Sequence, residues 1–238
     1  MSKKSSSKTN FLAQGTILVI ASFVAKAIGM IYRIPLTHIL GDDGNGYYST
    51  ANEIYTIILM ISSFSLPLAV SRLVAEREYA GEVKNSYKVL ICSLRFAAVT
   101  GGILSILTFL LGGVITKYVM GVELASYALR VLAPAIFLFA LTGVLRGFFQ
   151  GHGTMVPTAV SQIIEQIINA IVSVAGAYVM LQYGLKLGEK KGDAELGTAL
   201  AAAGGTFGTV ASVGVALLFM IVIYLGYRNG FKRRMKKD

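Results

Sequence analysis

The chain has one cysteine, no tryptophan, four prolines and twelve acidic residues in 238 positions. A lone thiol, Cys92, excludes an intramolecular disulfide and cannot build a metal cluster; it reads as a small buried apolar residue. Charged residues make up 14% of the chain, whereas soluble domains carry about 25%. No segment is left from which to build a soluble domain. Catalytic signatures are missing as well: there is no GxxxxGK[ST] loop, HExxH, CxxC or nucleophile elbow. ATP hydrolysis and metal catalysis therefore have no home, and neither an enzyme nor a cofactor is expected. The two histidines, His38 and His152, fall at opposite membrane edges in the topology below, so they cannot meet.

What the chain has in abundance is apolar length. Hydrophobic residues account for 55% of it and the mean hydropathy is +0.66. A helix needs roughly 20 apolar residues to cross the hydrocarbon core. Between polar or Gly/Pro punctuation, six runs qualify: residues 11–37, 47–71, 88–113, 124–149, 156–182 and 196–226. The fold class expected is an all-α membrane protein, a bundle of six transmembrane helices. Residues 1–10 and 227–238 read as short basic tails. The first apolar run is too long for a signal-peptide core and is followed by no obvious cleavage site.

Orientation follows from the cations. With the N-terminus inside, the cytoplasmic pieces hold Lys3, Lys4, Lys8, Arg72, Arg77, Lys84, Lys88, Arg146, Arg228, Lys232, Arg233, Arg234, Lys236 and Lys237. The outer loops hold only Lys117, Lys186, Lys190 and Lys191. The positive-inside rule selects this arrangement and places both termini in the cytoplasm. It also explains the net charge of +10 without nucleic acid, since the cations are sorted by membrane side and form no single basic face. The basic C-terminal tail is suited to the anionic inner leaflet, or simply anchors the last helix.

Ionisable residues inside the membrane are costly and usually face a cavity or a partner helix. Lys26 and Arg33 lie seven residues apart in the first span, on nearly one helical face. Glu53, in the second span, is within reach of Arg33 across the short LGDDGNGYY turn; a purely structural Arg33–Glu53 pair is one reading. Even then Lys26 leaves a positive excess suited to phosphate or pyrophosphate. In the fifth span Gln162, Gln166, Asn169 and Ser173 share a face with Glu165 at its edge. Such a face must look at protein or water: it lines a hydrophilic cavity, the preferred reading, or bonds to neighbouring helices. Arg95 and Arg130 are close enough to the interfaces to snorkel. Pro67 and Pro134 fall inside predicted helices and are expected to kink them. Gly143, Gly147 and Gly151, with Gly204 and Gly208, follow the four-residue spacing of close helix packing.

Three segments resemble the stage V sporulation protein B-like polysaccharide exporters, within the multidrug/oligosaccharidyl-lipid/polysaccharide exporter superfamily that also holds the lipid II flippases. They are AKAIGMIYRIPLTHILGDDGNGYYSTA (25–51), SLPLAVSRLVAE (65–76) and LRGFFQGHGTMVPTAVSQIIEQI (145–167). The last resembles the family's cytoplasmic turn between helices four and five, with Gly147, Gln150, Gly151, Gly153 and Pro157 in order, followed by Gln162 and Glu165. The resemblance implies an N-terminal six-helix lobe, whose first helix supplies cations to a diphosphate. Lys26 and Arg33 match by location, although lipid II flippases tend to have arginine where Lys26 stands.

Family members have two such lobes around a cavity, and this sequence shows no internal repeat. The expectation is that the chain is a piece of a longer protein, or pairs with a second lobe or second copy. The function implied is movement of an undecaprenyl-linked saccharide, lipid II among the candidates, from the inner to the outer leaflet of a bacterial plasma membrane. Its partners are that lipid-linked substrate and the membrane lipids. Candidate substrate-binding residues are Lys26, Arg33, Glu53, Gln162, Glu165, Gln166 and Asn169. With no ATP site, energy for transport comes from an ion gradient, the membrane potential or the substrate's own gradient. Two alternatives stand beside this: a multidrug or cation antiporter, which would want an acidic cavity, and a non-transporting scaffold or fragment.

Overall fold

In hydrocarbon a backbone satisfies its own polar groups by coiling, and apolar runs with few interior breakers do so here. The computed structural model describes residues 2–192 and 195–235; Lys236 and Lys237 of the expected basic tail lie outside them. Among the described residues the elements are helices α1 (Ser2–Ile31), α2 (Arg33–Ser62), α3 (Leu66–Tyr79), α4 (Val83–Val114), α5 (Ala125–Gly151), α6 (Val156–Lys191) and α7 (Leu196–Met235), with one π turn at Ile115–Val119 after α4. Six candidate spans are long and apolar enough to cross a membrane. Helix α3 completes the crossing begun by α2.

The helices run further than the apolar runs suggested. Backbone that reads as a tail from Ser2 onward belongs to α1, and Arg228 to Met235 continue α7. Helix α6 likewise carries Lys186 and Lys190, expected in a loop. The first reversal is sharper than a nine-residue connection. Helical backbone passes through Tyr32 and reverses at Gly41, whose φ of 66° and ψ of −172° suit glycine. The second span breaks at Ser63–Ser65, so Pro67 stands in the first turn of α3, where its missing N–H costs little. The expected mid-helix kink at Pro67 is therefore a helix start. Pro134 does lie inside α5.

Helix α5 is the axis of the bundle, buried along most of its length from Ala125 to Phe149. Near the Gly41 end its Ala128, Leu132 and Ile136 pack with Leu36, Leu40 and Tyr48 of α2 and with Ala201 of α7. Near the end that carries the termini, Val144, Phe148 and Phe149 pack with Val70 and Val74 of α3, Leu90 of α4 and Met220 of α7. Helix α1 is peripheral and lies mainly on α6. Cys92 is exposed on the flank of α4, not buried: a bundle meant for lipid has an apolar exterior as well as an apolar core.

Close approach of α6 and α7 depends on glycine. A Cβ built on Gly176 would lie 2.5 Å from the Gly204 carbonyl oxygen, and one on Gly208 would overlap the Ser173 hydroxyl. Gly147 and Gly151 do the same for α5 and α3: their Cβ positions fall 2.5 Å from the Pro67 carbonyl and 2.6 Å from Val74 Cβ. Gly204→Val should therefore destabilise the chain by about 1–3 kcal/mol, whereas Gly226→Val, which meets open space, should be close to neutral. Thermal unfolding of the two purified variants in one detergent distinguishes them; equal midpoints would contradict this packing.

Candidate functional site

Between α1, α5 and α6 lies a cleft of about 260 Å³, lined by Ser22, Ala25, Lys26, Phe139, Arg146, Gln162, Glu165 and Gln166. Its floor is an ion pair. Arg146 Nη2 donates to Glu165 Oε2 at 2.7 Å and Arg146 Nε to Ser161 Oγ at 2.9 Å. The two side chains are 8% and 14% exposed, and charges so far from water persist because each satisfies the other. Arg146 was expected in a cytoplasmic connection, where it counted toward membrane orientation. It is in fact buried in the last two turns of α5. Thirteen basic residues remain in the expected cytoplasmic segments against four outside, so the orientation argument survives without it.

Lys26 reaches the cleft from the exposed flank of α1 and has no ion-pair partner among the described residues. With Arg146 and Glu165 offsetting one another, the site carries a net positive charge. Gln162 accepts a hydrogen bond from Ser22 Oγ at 3.1 Å, and Gln166 lines the wall beside it.

The other expected site residues lie elsewhere. Arg33, next to Tyr32, is exposed and reaches Ser49 Oγ at 3.5 Å; it does not line this cleft. Glu53 is exposed on α2 and forms no ion pair with Arg33. The turn at Gly41 sends the chain back before the two side chains come together.

Asn169 is buried and structural. Its Nδ2 donates to Tyr32 Oη at 3.0 Å, and its Oδ1 accepts from Ser173 Oγ at 2.9 Å and Thr209 Oγ1 at 3.5 Å. One side chain thus ties the α1–α2 junction to α6 and α7. In the α5–α6 turn Gln150 reaches Thr158 at 3.4 Å, Gly153 adopts φ 76°, and Pro157 lies in the first turn of α6. Gln14 Oε1 of α1 accepts from the Met155 backbone N–H at 3.0 Å. These turn residues shape the backbone and do not line the cleft.

The comparisons with known proteins bear on this all-helical membrane bundle and its fold. The model of the polysaccharide biosynthesis protein family matches residues 11–237, so the chain belongs to that family. It is similar to stage V sporulation protein B of Bacillus subtilis (strain 168), with 28% identity over 95% of this chain and 41% of that protein. It is also similar to the lipid II flippase MurJ of the same organism, at 29% identity over 72% of this chain and 33% of that protein. Among solved structures, an outward-facing multidrug resistance MATE family transporter of the MOP superfamily aligns with a TM-score of 0.70 and 18% identity. That alignment covers 90% of this chain and 45% of the transporter, and it shows a shared fold. The chain therefore spans less than half the length of these relatives, and it is a multi-pass protein of the plasma membrane.

The Arg146–Glu165 pair yields a direct test. Arg146→Met leaves a buried carboxylate and should cost about 3–5 kcal/mol, while Arg146→Met/Glu165→Leu, which removes both charges, should recover most of it. Thermal unfolding of the single and double variants measures the difference; additive losses would contradict the pairing.

Proposed function

We propose that this chain is one lobe of a transporter that moves a lipid-linked saccharide from the inner to the outer leaflet during cell-envelope synthesis. The observation that carries the reading is the cleft, where Lys26 stands unpaired over a charge-balanced floor, with Gln162 and Gln166 beside it. A substrate of this class has an anionic diphosphate, a sugar rich in hydroxyls, and a prenyl chain. Lys26 meets the phosphate charge, the two amides offer donors and acceptors to the sugar, and the prenyl chain stays in the lipid beside the exposed flank of α1. Family membership and the similarity to a lipid II flippase support the same class.

Because the chain spans 41% of stage V sporulation protein B, the working transporter pairs this lobe with a second one, supplied by the same polypeptide, another copy or another chain. Multidrug or cation antiport fits less well, since a net positive cleft repels a cationic substrate. In proteoliposomes, leaflet-resolved flipping of a fluorescent undecaprenyl-diphosphate saccharide tests the proposal, with a C-terminal partner lobe added and omitted. Lys26→Ala should slow flipping roughly 10- to 100-fold, the worth of one hydrogen bond to a charged group, and Lys26→Arg should restore it. Arg33→Ala, outside the cleft, should do less. Flipping indifferent to Lys26 would overturn this site, and none under any condition would favour a scaffold.

A further inference from the structure

Away from the cleft, the α5–α6 turn begins with a buried histidine that the transport reading does not use. His152 has an 8% exposed side chain, held between Phe148 and Phe231 with ring centroids 4.4 and 4.7 Å away. Its Nδ1 lies 2.8 Å from the Phe148 carbonyl oxygen. A carbonyl only accepts, so Nδ1 carries a proton in every state that keeps this bond. The opposite nitrogen, Nε2, faces Glu78 Oε1 of α3 at 3.1 Å, and neither of these buried atoms has another hydrogen-bonding partner. Glu78 Oε2 is held by Arg234 of α7.

With a neutral ring and an ionised carboxylate, two lone pairs oppose one another at 3.1 Å, which is repulsive. A proton on Nε2 turns the same contact into a charge-assisted hydrogen bond and sets an imidazolium against two aromatic rings. From these contacts we propose that Glu78, His152 and Arg234 form a proton-operated latch joining α3, the α5–α6 turn and the terminal part of α7. Protonation of His152 closes it and deprotonation loosens it.

The charged groups facing the ring are Glu78 from α3 and Arg234 from α7; its own turn contributes the Phe148 carbonyl. A cavity of about 590 Å³ opens beside the three side chains, bordered by Tyr227 and Gly230, and gives protons access and α7 room to move. Burial holds the imidazole below its ordinary pKa, opposed by the Phe148 carbonyl and by Glu78. Glu78 raises the imidazole pKa within this buried site, so a ring that stays between the two phenyl groups binds its proton more tightly with Glu78 in contact than without it. By linkage, protonation favours the closed latch, below about pH 6.5.

Because the chain has two histidines, His38→Gln leaves a single imidazole to follow by ¹⁵N NMR in nanodiscs. The expected result is an Nδ1–H tautomer at neutral pH and a midpoint below about 6.5, moved lower by Glu78→Gln and higher by Arg234→Gln. In a Cys92→Ser background, spin labels at positions 79 and 233 should report a narrower α3–α7 distance distribution as the pH falls through that midpoint, and His152→Gln should abolish the change. A midpoint unmoved by Glu78→Gln, or a distance indifferent to pH, would overturn the latch. So would a pH response that persists in His152→Gln.

Discussion

Everything at the candidate site rests on one ion pair placed where the medium gives it no help. Arg146 and Glu165 lie on the two helices that the α5–α6 turn joins. Each would be a serious liability alone, because an isolated buried charge costs several kcal/mol. Paired at 2.7 Å, they cancel in the far field. The unpaired ammonium of Lys26 is then left to set the sign of the cleft. Had either partner been missing, the local charge would differ by one unit, and with it the class of ligand the cleft could hold.

The polar face of α6 shows why a helix in lipid needs such groups even where no ligand is involved. Helix α1 touches little else, and it is held on α6 by polar contacts at three heights: Gln14 to the Met155 backbone, Ser22 to Gln162, and Tyr32 to Asn169. In lipid, apolar contact alone discriminates poorly between helix and acyl chain, so hydrogen bonds and close packing must set position and register. Cavity lining and interhelical bonding were competing accounts of this face. They divide it: Asn169 and Ser173 are committed to bonds within the bundle, while Gln166 and Glu165 remain at the cleft.

Much of the fold was legible because hydropathy over some 20 residues is a long, redundant signal. The six runs, the four-residue glycine spacing and the helical face of α6 all rest on it. What was not legible turned on single residues. Arg146 follows a Gly-containing stretch and precedes a turn motif, so charge alone places it outside the membrane; only the Glu165 carboxylate, 19 positions further on, could signal otherwise. Arg33 and Glu53 looked like partners because sequence distance across the turn is short. The positive φ of Gly41, which decides where the chain reverses, leaves no trace in hydropathy. Pro67 reads as a kink in the sequence because the break ahead of it, at Ser63–Ser65, is made of residues too few and too small to interrupt an apolar run.

Helix α5 gives the geometry a further consequence. Arg146 and His152 are six positions apart, roughly 9 Å along the helix, and the backbone between them is helical as far as Gly151. Gly147 and Gly151 bring this stretch against α3 so closely that no Cβ fits. Packing this close leaves α5 no room to approach α3 further between the two positions. The ion pair beneath the cleft and the proposed proton site at the turn therefore share one continuous, closely packed stretch of helix. The side chains that would bind a substrate lie on α1 and α6 and those that would sense pH on α3, α7 and the turn, so α5 is the element that connects the two sites.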